Sequence, residues 1–280
     1  MSLQANHAPA WATTSGDVWA ERWTELDRGL AGVAERLDPA IFAAAPPGPF
    51  RALDVGCGAG STSLAMAQAR PDATIIACDL SPSLAKIAEG RLAATSVKVV
   101  LGDAEEVAAG QAPFDLIVSR HGVMFFADPA RAFRIFRAAA SPGARLVFSC
   151  FEDWPANHWA SQLASAAAGH PVDPPGREPG GFAMADPNYA RSILESGGWT
   201  ESERRSILFH YVAGSGQGAI AQALSLLCAV GPASIVLRDL DGRQREDAVE
   251  RMRTIIEGHF DGHEVRLPAA ACLWSARAAA

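Results

Sequence analysis

Between Arg51 and Phe151 the sequence alternates short apolar runs with stretches of helix length, and this rhythm restricts the possible folds more than any other feature of the chain. The runs are Arg51–Val55, Thr74–Leu80, Val97–Gly102, Phe114–Ser119 and Arg145–Phe151. They are mostly continuous rather than alternating in polarity, as strands covered on both faces are. The intervening Ser61–Ala69, Pro82–Ala94 and Pro129–Ala140 are long enough for helices. Ser81-Pro82 is a start signal, a capping hydroxyl followed by a residue whose missing N–H costs nothing in the first turn. Ser141-Pro142-Gly143 reads as a stop. Strand and helix in alternation predict a parallel sheet with right-handed crossovers.

The flanks differ. Residues 1–45 are expected to be irregular and then helical, with Trp11, Trp19, Trp23, Leu26 and Leu30 as the apolar positions, ending at Ala45-Pro46-Pro47-Gly48-Pro49. Residues 152–188, rich in Pro, Gly and Trp, suit an insertion or lid rather than sheet. A helix Tyr189–Ser196, a strand through Ser206–Val212, two or three helices over 217–258 and a closing strand Glu264–Ala276 follow. The expected division is an N-terminal helical segment covering the site (1–45), an α/β core (46–151), and a completion of the sheet (152–280) with cap insertions at about 152–188 and 213–262.

A net charge of −7 without any Lys/Arg run gives no electrostatic footprint for nucleic acid or anionic lipid. The five cysteines are odd in number and far apart, with no C-x-x-C pair, so neither disulfides nor a metal site is expected, and a cytoplasmic chain is. Met1–Ala12 has no signal-peptide pattern. Ser206–Leu237 lacks Asp, Glu, Lys and Arg, but its longest helix-like piece, Ala219–Val230, is too short to span a bilayer, which predicts a buried or ligand-facing helix and no membrane role.

The chemistry is concentrated in Leu53-Asp54-Val55-Gly56-Cys57-Gly58-Ala59-Gly60, which leads from the first strand into a helix. Alternating glycines let a backbone approach a ligand closely, and the helix start offers free N–H groups. Such loops also mark nicotinamide-binding folds. Here Ser61 stands where that fingerprint wants Gly or Ala, and Asp54 sits where a pyrophosphate would bring negative charge; a ligand with an ammonium and a sulfonium would welcome it. Asp79, at the end of the second strand, could take both ribose hydroxyls. Asp103, at the end of the third, could accept from an adenine amino group, with Leu80 and Ala104 flanking the ring. Each Asp could equally be a plain cap or turn residue, but ligands in open α/β sheets bind beyond the carboxyl ends of the strands.

Asp54–Gly60, Asp79, Gly102-Asp103-Ala104, Phe114–Ser119 and Ser141–Leu146 together resemble the ordered motifs of class I S-adenosylmethionine-dependent methyltransferases over about residues 50–150. Ser119–Pro129, Phe182–Pro187 and Leu267–Leu273 resemble a bacterial small-molecule subgroup related to quinone-biosynthesis C-methyltransferases. The resemblance implies a Rossmann-like, mostly parallel seven-stranded sheet with helices on both faces and a helical cap. It implies S-adenosylmethionine as cofactor and S-adenosylhomocysteine as product. Asp54 and Gly56 would hold the methionine end, Asp79 the ribose, and Asp103 and Ala104 the adenine, with Cys57, Gly58, Gly60 and Leu80 as further cofactor-binding residues. Ser119 would sit under the sulfonium, and Trp19 would cover the site. Members often carry an aromatic residue where this chain has His121.

His121 is the best single candidate for a catalytic base, because histidine titrates near working pH; a structural or cofactor-contacting role competes. Met124, Phe125 and Trp154 are candidate acceptor-pocket residues, with Phe126 and Trp159, and Trp23 beside Trp19, as further apolar walls. Packing alone explains aromatic residues equally well. His158 and His170 fall in the expected lid; His7, His210, His259 and His263 have no supporting context. Arg131, Arg134 and Arg137 read as a solvated helix face. The expected function is methyl transfer to a small, partly apolar organic acceptor. A nicotinamide-dependent oxidoreductase and a non-catalytic S-adenosylmethionine-binding protein are the alternatives. Acceptor identity and oligomeric state are not readable.

Overall fold

The computed structural model describes residues 11–279; His7 and most of Met1–Ala12 lie outside them. Seven strands form one sheet in the order β3-β2-β1-β4-β5-β7-β6. They are β1 (Arg51–Val55), β2 (Thr74–Asp79), β3 (Lys98–Leu101), β4 (Phe114–Arg120), β5 (Ala140–Phe151), β6 (Trp199–Ser215) and β7 (Glu264–Ala278). The first five pair in parallel. β7 inserts antiparallel between β5 and β6. The strand order reverses at β1, and the carboxyl ends of β1, β2 and β4 converge there, the place where such sheets bind ligands.

Helix Ala31–Ala44 covers one face. Val33, Leu37 and Ile41, four residues apart, fall on one stripe and are all buried. Helix Pro129–Ala138 covers the other, burying Ala132, Phe133 and Phe136, with the Phe133 ring 5.3 Å from that of Phe148 on β5. Arg131, Arg134 and Arg137 follow the opposite side; Arg131 pairs with Glu105. Each large apolar side chain buried here contributes about 1.5–3 kcal/mol.

The sequence reading missed one helix, Ala104–Gln111, because its small, weakly periodic residues hide it; Asp103 caps it by accepting from the Glu105 N–H at 2.7 Å. The segment 152–188 contains no sheet strand and carries helix His158–Ala168 between irregular segments. A second correction concerns Ser141-Pro142-Gly143, which lies inside β5 at a register irregularity rather than between elements. The uncharged stretch folds as Ala219–Ala229 and Pro232–Arg238, bent by 69° at the break; among the described residues no single helix is long and apolar enough to cross a membrane. Gly231, at φ 80°, makes that bend.

Two short helices, α1 (Thr14–Glu21) and α2 (Trp23–Gly29), lie over the carboxyl ends of the strands. Gly16 lets α1 seat: a Cβ there would overlap the Trp11 carbonyl oxygen and the Ser81 side chain. Asp17 accepts from the Ser83 hydroxyl at 2.5 Å, fixing the same contact.

Candidate active site

A cavity of about 310 Å³ lies beneath α1 and α2, walled by the ends of β1, β2 and β4 and by the residues that follow β3. Asp54, Gly56, Cys57, Gly58, Asp79, Leu80, Asp103, Ala104 and Trp19 all line it. The loop takes its turn through left-handed glycines, Gly56 at φ 64° and Gly58 at φ 56°, which a side chain would strain.

Asp54 is fully buried. Its Oδ2 accepts from the Ser63 hydroxyl at 2.6 Å, while Oδ1 has no partner among the described residues. Burial pushes its carboxyl up to about 6, against the Ser63 hydrogen bond and the Arg120 charge, which pull it down. An unpartnered carboxylate oxygen in a buried wall is costly unless a cation or donor meets it. Asp79 accepts from the Gly58 N–H at 2.8 Å and the Ser81 N–H at 2.9 Å, and burial raises its pKa as well. Each of its oxygens keeps a second lone pair for a hydroxyl.

Three of the sequence-predicted residues sit elsewhere. Gly60 closes the loop against Ala88 and Leu92 rather than facing the cavity. Ser119 donates to the Val55 carbonyl at 2.8 Å and accepts from the Gly122 N–H at 3.1 Å, so its side chain holds two loops together. Trp154 packs on Phe182, ring centroids 5.0 Å apart, and lines neither cavity.

A second cavity of about 370 Å³ adjoins the first. Met124, Phe125, Phe151, Trp159, Phe182 and Tyr211 contribute to its apolar lining, and helix Pro232–Arg238 forms part of the far side. Trp19, Leu26, Leu30, His121 and Phe125 line both cavities, so the partition between them is made of these side chains. Phe126 faces the first cavity only.

His121 stands at that partition with a left-handed backbone, φ 64°. Its Nδ1 lies 2.7 Å from Ser149 Oγ, its ring packs edge-on against Phe151 at 4.2 Å, and its buried Nε2 has no partner among the described residues. Burial, helped by the Arg120 charge, lowers its pKa to about 3. The imidazole is therefore neutral at working pH and a poor proton acceptor, which corrects the expectation of a base titrating near neutrality. Outside the site, the His158 ring lies 5.6 Å from that of His259, tilted by 60°, and His170 is exposed.

Sequence reasoning overlooked Asp27 and Arg120. Arg120, at the end of β4, donates to Asp27 on α2; Arg91 donates to Asp27 at 3.1 Å, and the Ser61 hydroxyl does so as well. Arg91 also covers the Trp23 ring at 4.4 Å.

The sheet order and the site at its switch point define a Rossmann-like α/β methyltransferase fold, and residues 53–148 match the family model described as a methyltransferase domain. Over that segment the chain is similar to a methyltransferase domain. Malonyl-[acyl-carrier protein] O-methyltransferase of Herminiimonas arsenicoxydans is 35% identical over 97 residues, 35% of either chain. Ubiquinone biosynthesis O-methyltransferase of Xanthomonas axonopodis pv. citri is 33% identical over 144 residues, 49% of this chain and 59% of that one. The chain thus spans between about one third and three fifths of the length of these relatives. A protein of Bacillus halodurans C-125, solved as a candidate methyltransferase, superposes with a TM-score of 0.57 at 16% identity, covering 88% of this chain and 100% of that one, a likeness of fold.

Proposed function

We propose that the protein is an S-adenosylmethionine-dependent methyltransferase acting on a small, partly apolar organic acceptor. The observation that carries this reading is the unpartnered Oδ1 of buried Asp54, set in the wall of a cavity built by a glycine loop. An ammonium satisfies that oxygen; a pyrophosphate, as in the nicotinamide alternative, would repel it. Asp54 and the backbone around Gly56–Gly58 would hold the amino-acid end, Asp79 the ribose, and Leu80, Asp103 and Ala104 the adenine. When bound, the cofactor supplies an activated methyl group on a positively charged sulfur.

The protein's own contribution is alignment and exclusion of water. Trp19, Leu26, Leu30 and Phe125 wall the crossing point, and the second cavity offers the acceptor an apolar chamber. The two curated relatives are both named for O-methylation, one on a carrier-protein-bound acceptor and one in ubiquinone biosynthesis, which supports oxygen as the accepting atom. Five free cysteines fit a reducing, cytoplasmic setting. Calorimetric titration with S-adenosylhomocysteine tests the reading. One-to-one binding is expected, weakened roughly tenfold or more in Asp54→Asn. Binding of a nicotinamide dinucleotide in its place would overturn it.

A further inference from the structure

Among the described residues His121 is the only titratable side chain at the partition between the two cavities, because the other four shared residues are Trp19, Leu26, Leu30 and Phe125. Its tautomer follows from hydrogen-bond accounting. Ser149 is fully buried, and among the described residues its hydroxyl has one partner, His121 Nδ1 at 2.7 Å. If Nδ1 carried the proton, the serine hydroxyl would be left without an acceptor inside the protein, a cost that folded chains avoid. Ser149 therefore donates to Nδ1, and the ring proton resides on Nε2. That N–H is buried and unpartnered. The left-handed backbone at His121, rare for a residue with a side chain, holds the ring against β5 and Phe151 in this orientation.

Resting on the methyltransferase reading, we infer that His121 Nε2–H is a fixed hydrogen-bond donor to the methyl-accepting atom, and that the acceptor is an oxygen acid already ionised at neutral pH, a carboxylate or acidic enol on an apolar frame. The acceptor oxygen supplies the electron pair of the new O–C bond, the pair of the broken C–S bond stays on sulfur, and no proton moves. Both charges vanish in that step, which a low-dielectric chamber favours. No base is then needed, and the second cavity supplies none at the crossing. Its remaining titratable side chains are Tyr211, whose hydroxyl burial pushes well above its ordinary range and out of use, Cys228, whose thiol burial also raises, and Glu178, Arg238 and Arg245, which are solvent-exposed. Arg120 is the charged group acting on His121, and it disfavours protonation further. Arg238 and Arg245 make no ion pair among the described residues, and against the single Glu178 they bias the cavity toward an anion.

Nitrogen NMR of imidazole-labelled protein reads the tautomer without any ligand. His121 is expected to be the neutral Nε2–H form from pH 5 to 8; an Nδ1–H form, or protonation within that range, would overturn the inference. A second arm uses protein saturated with sinefungin, whose amine stands in for the charged sulfur, titrated with phenylacetate and with its amide. Wild type is expected to prefer the acid by roughly tenfold or more. H121F should lose the preference, while H121N, which tolerates a left-handed backbone and keeps a donor, should retain part of it. S149A, which frees the tautomer without touching the strained residue, should reduce it. Failure of sinefungin to bind removes the methyltransferase reading and this inference with it. Sinefungin binding with no discrimination between acid and amide removes the inference alone.

Discussion

Arg120 Nη2 donates to Asp27 Oδ1 across 2.6 Å, tying the helix that roofs the first cavity to the residue just before His121. Both side chains are largely withdrawn from solvent, 14% and 22% exposed, so this contact is stronger than a surface pair. It holds roof and floor of the site together.

Asp27→Asn should loosen that roof. Burial raises the Asp27 pKa, but the Arg120 charge, the Ser61 and Arg120 hydrogen bonds and the Arg91 charge outweigh it, and the net shift is downward. A lowered carboxylate pKa stabilises the fold above its unfolded value and loses that contribution as pH falls through the folded one. The variant is expected to melt earlier at pH 7 by about 1–2 kcal/mol, with a smaller deficit near pH 3. It should also release S-adenosylhomocysteine faster in stopped flow. Unchanged release rates would show that α2 does not retain the ligand.

Asp54 works in the opposite sense. Its pKa is raised to about 6, chiefly by burial, with the Asp79 charge adding to the rise. The stability linked to its protonation is complete below about pH 4 and is lost as pH rises through about 6, some 3 kcal/mol across the window. An ammonium ligand needs the ionised form. S-adenosylhomocysteine binding at pH 5.5 should therefore release protons, and affinity should climb to about pH 6.5 and then level off. Calorimetry in two buffers of different ionisation enthalpy counts those protons, and a count of zero contradicts the pairing.

Gly16→Ala separates roof from core. The added methyl meets the Trp11 carbonyl and Ser81, at the α1 contact rather than within the sheet. Ligand affinity is expected to fall roughly tenfold while the melting temperature moves by only a few degrees. A large fall in melting temperature with affinity intact would mean that α1 supports the fold and not the site.

Asp79→Asn keeps the shape of the side chain and exchanges one acceptor oxygen for a donor. The backbone N–H groups of Gly58 and Ser81 both point at this carboxylate, so the variant strains the loop as well as the ribose contact. Affinity for S-adenosylhomocysteine should drop by about 2 kcal/mol. Its deoxyribose analogue should discriminate less in the variant than in wild type, a double-mutant comparison that isolates the hydroxyls.

The parallel half of the sheet was legible because buried strands announce themselves as uninterrupted apolar runs, and Asp54, Asp79 and Asp103 were legible because each stands where such a run ends. Ala104–Gln111 was not, since Ala-Glu-Glu-Val-Ala-Ala-Gly-Gln has too little contrast between faces to show a period. Trp154 was misplaced for a related reason: an aromatic residue in an irregular segment reads alike whether it lines a chamber or props one. Asp27, Arg120 and Ser149 draw their roles from partners 93 and 28 residues away, separations that local pattern cannot report.

Because Trp19, Leu26 and Leu30 belong to both chambers at once, a mutation there that admits a bulkier acceptor also reshapes the berth of the methyl donor. Selectivity can drift freely only from the opposite wall, at Phe182, Val230 and Ile235, which touch the second chamber alone. Descendants of this scaffold that acquire new acceptors should carry their changes on that wall and leave the shared partition alone.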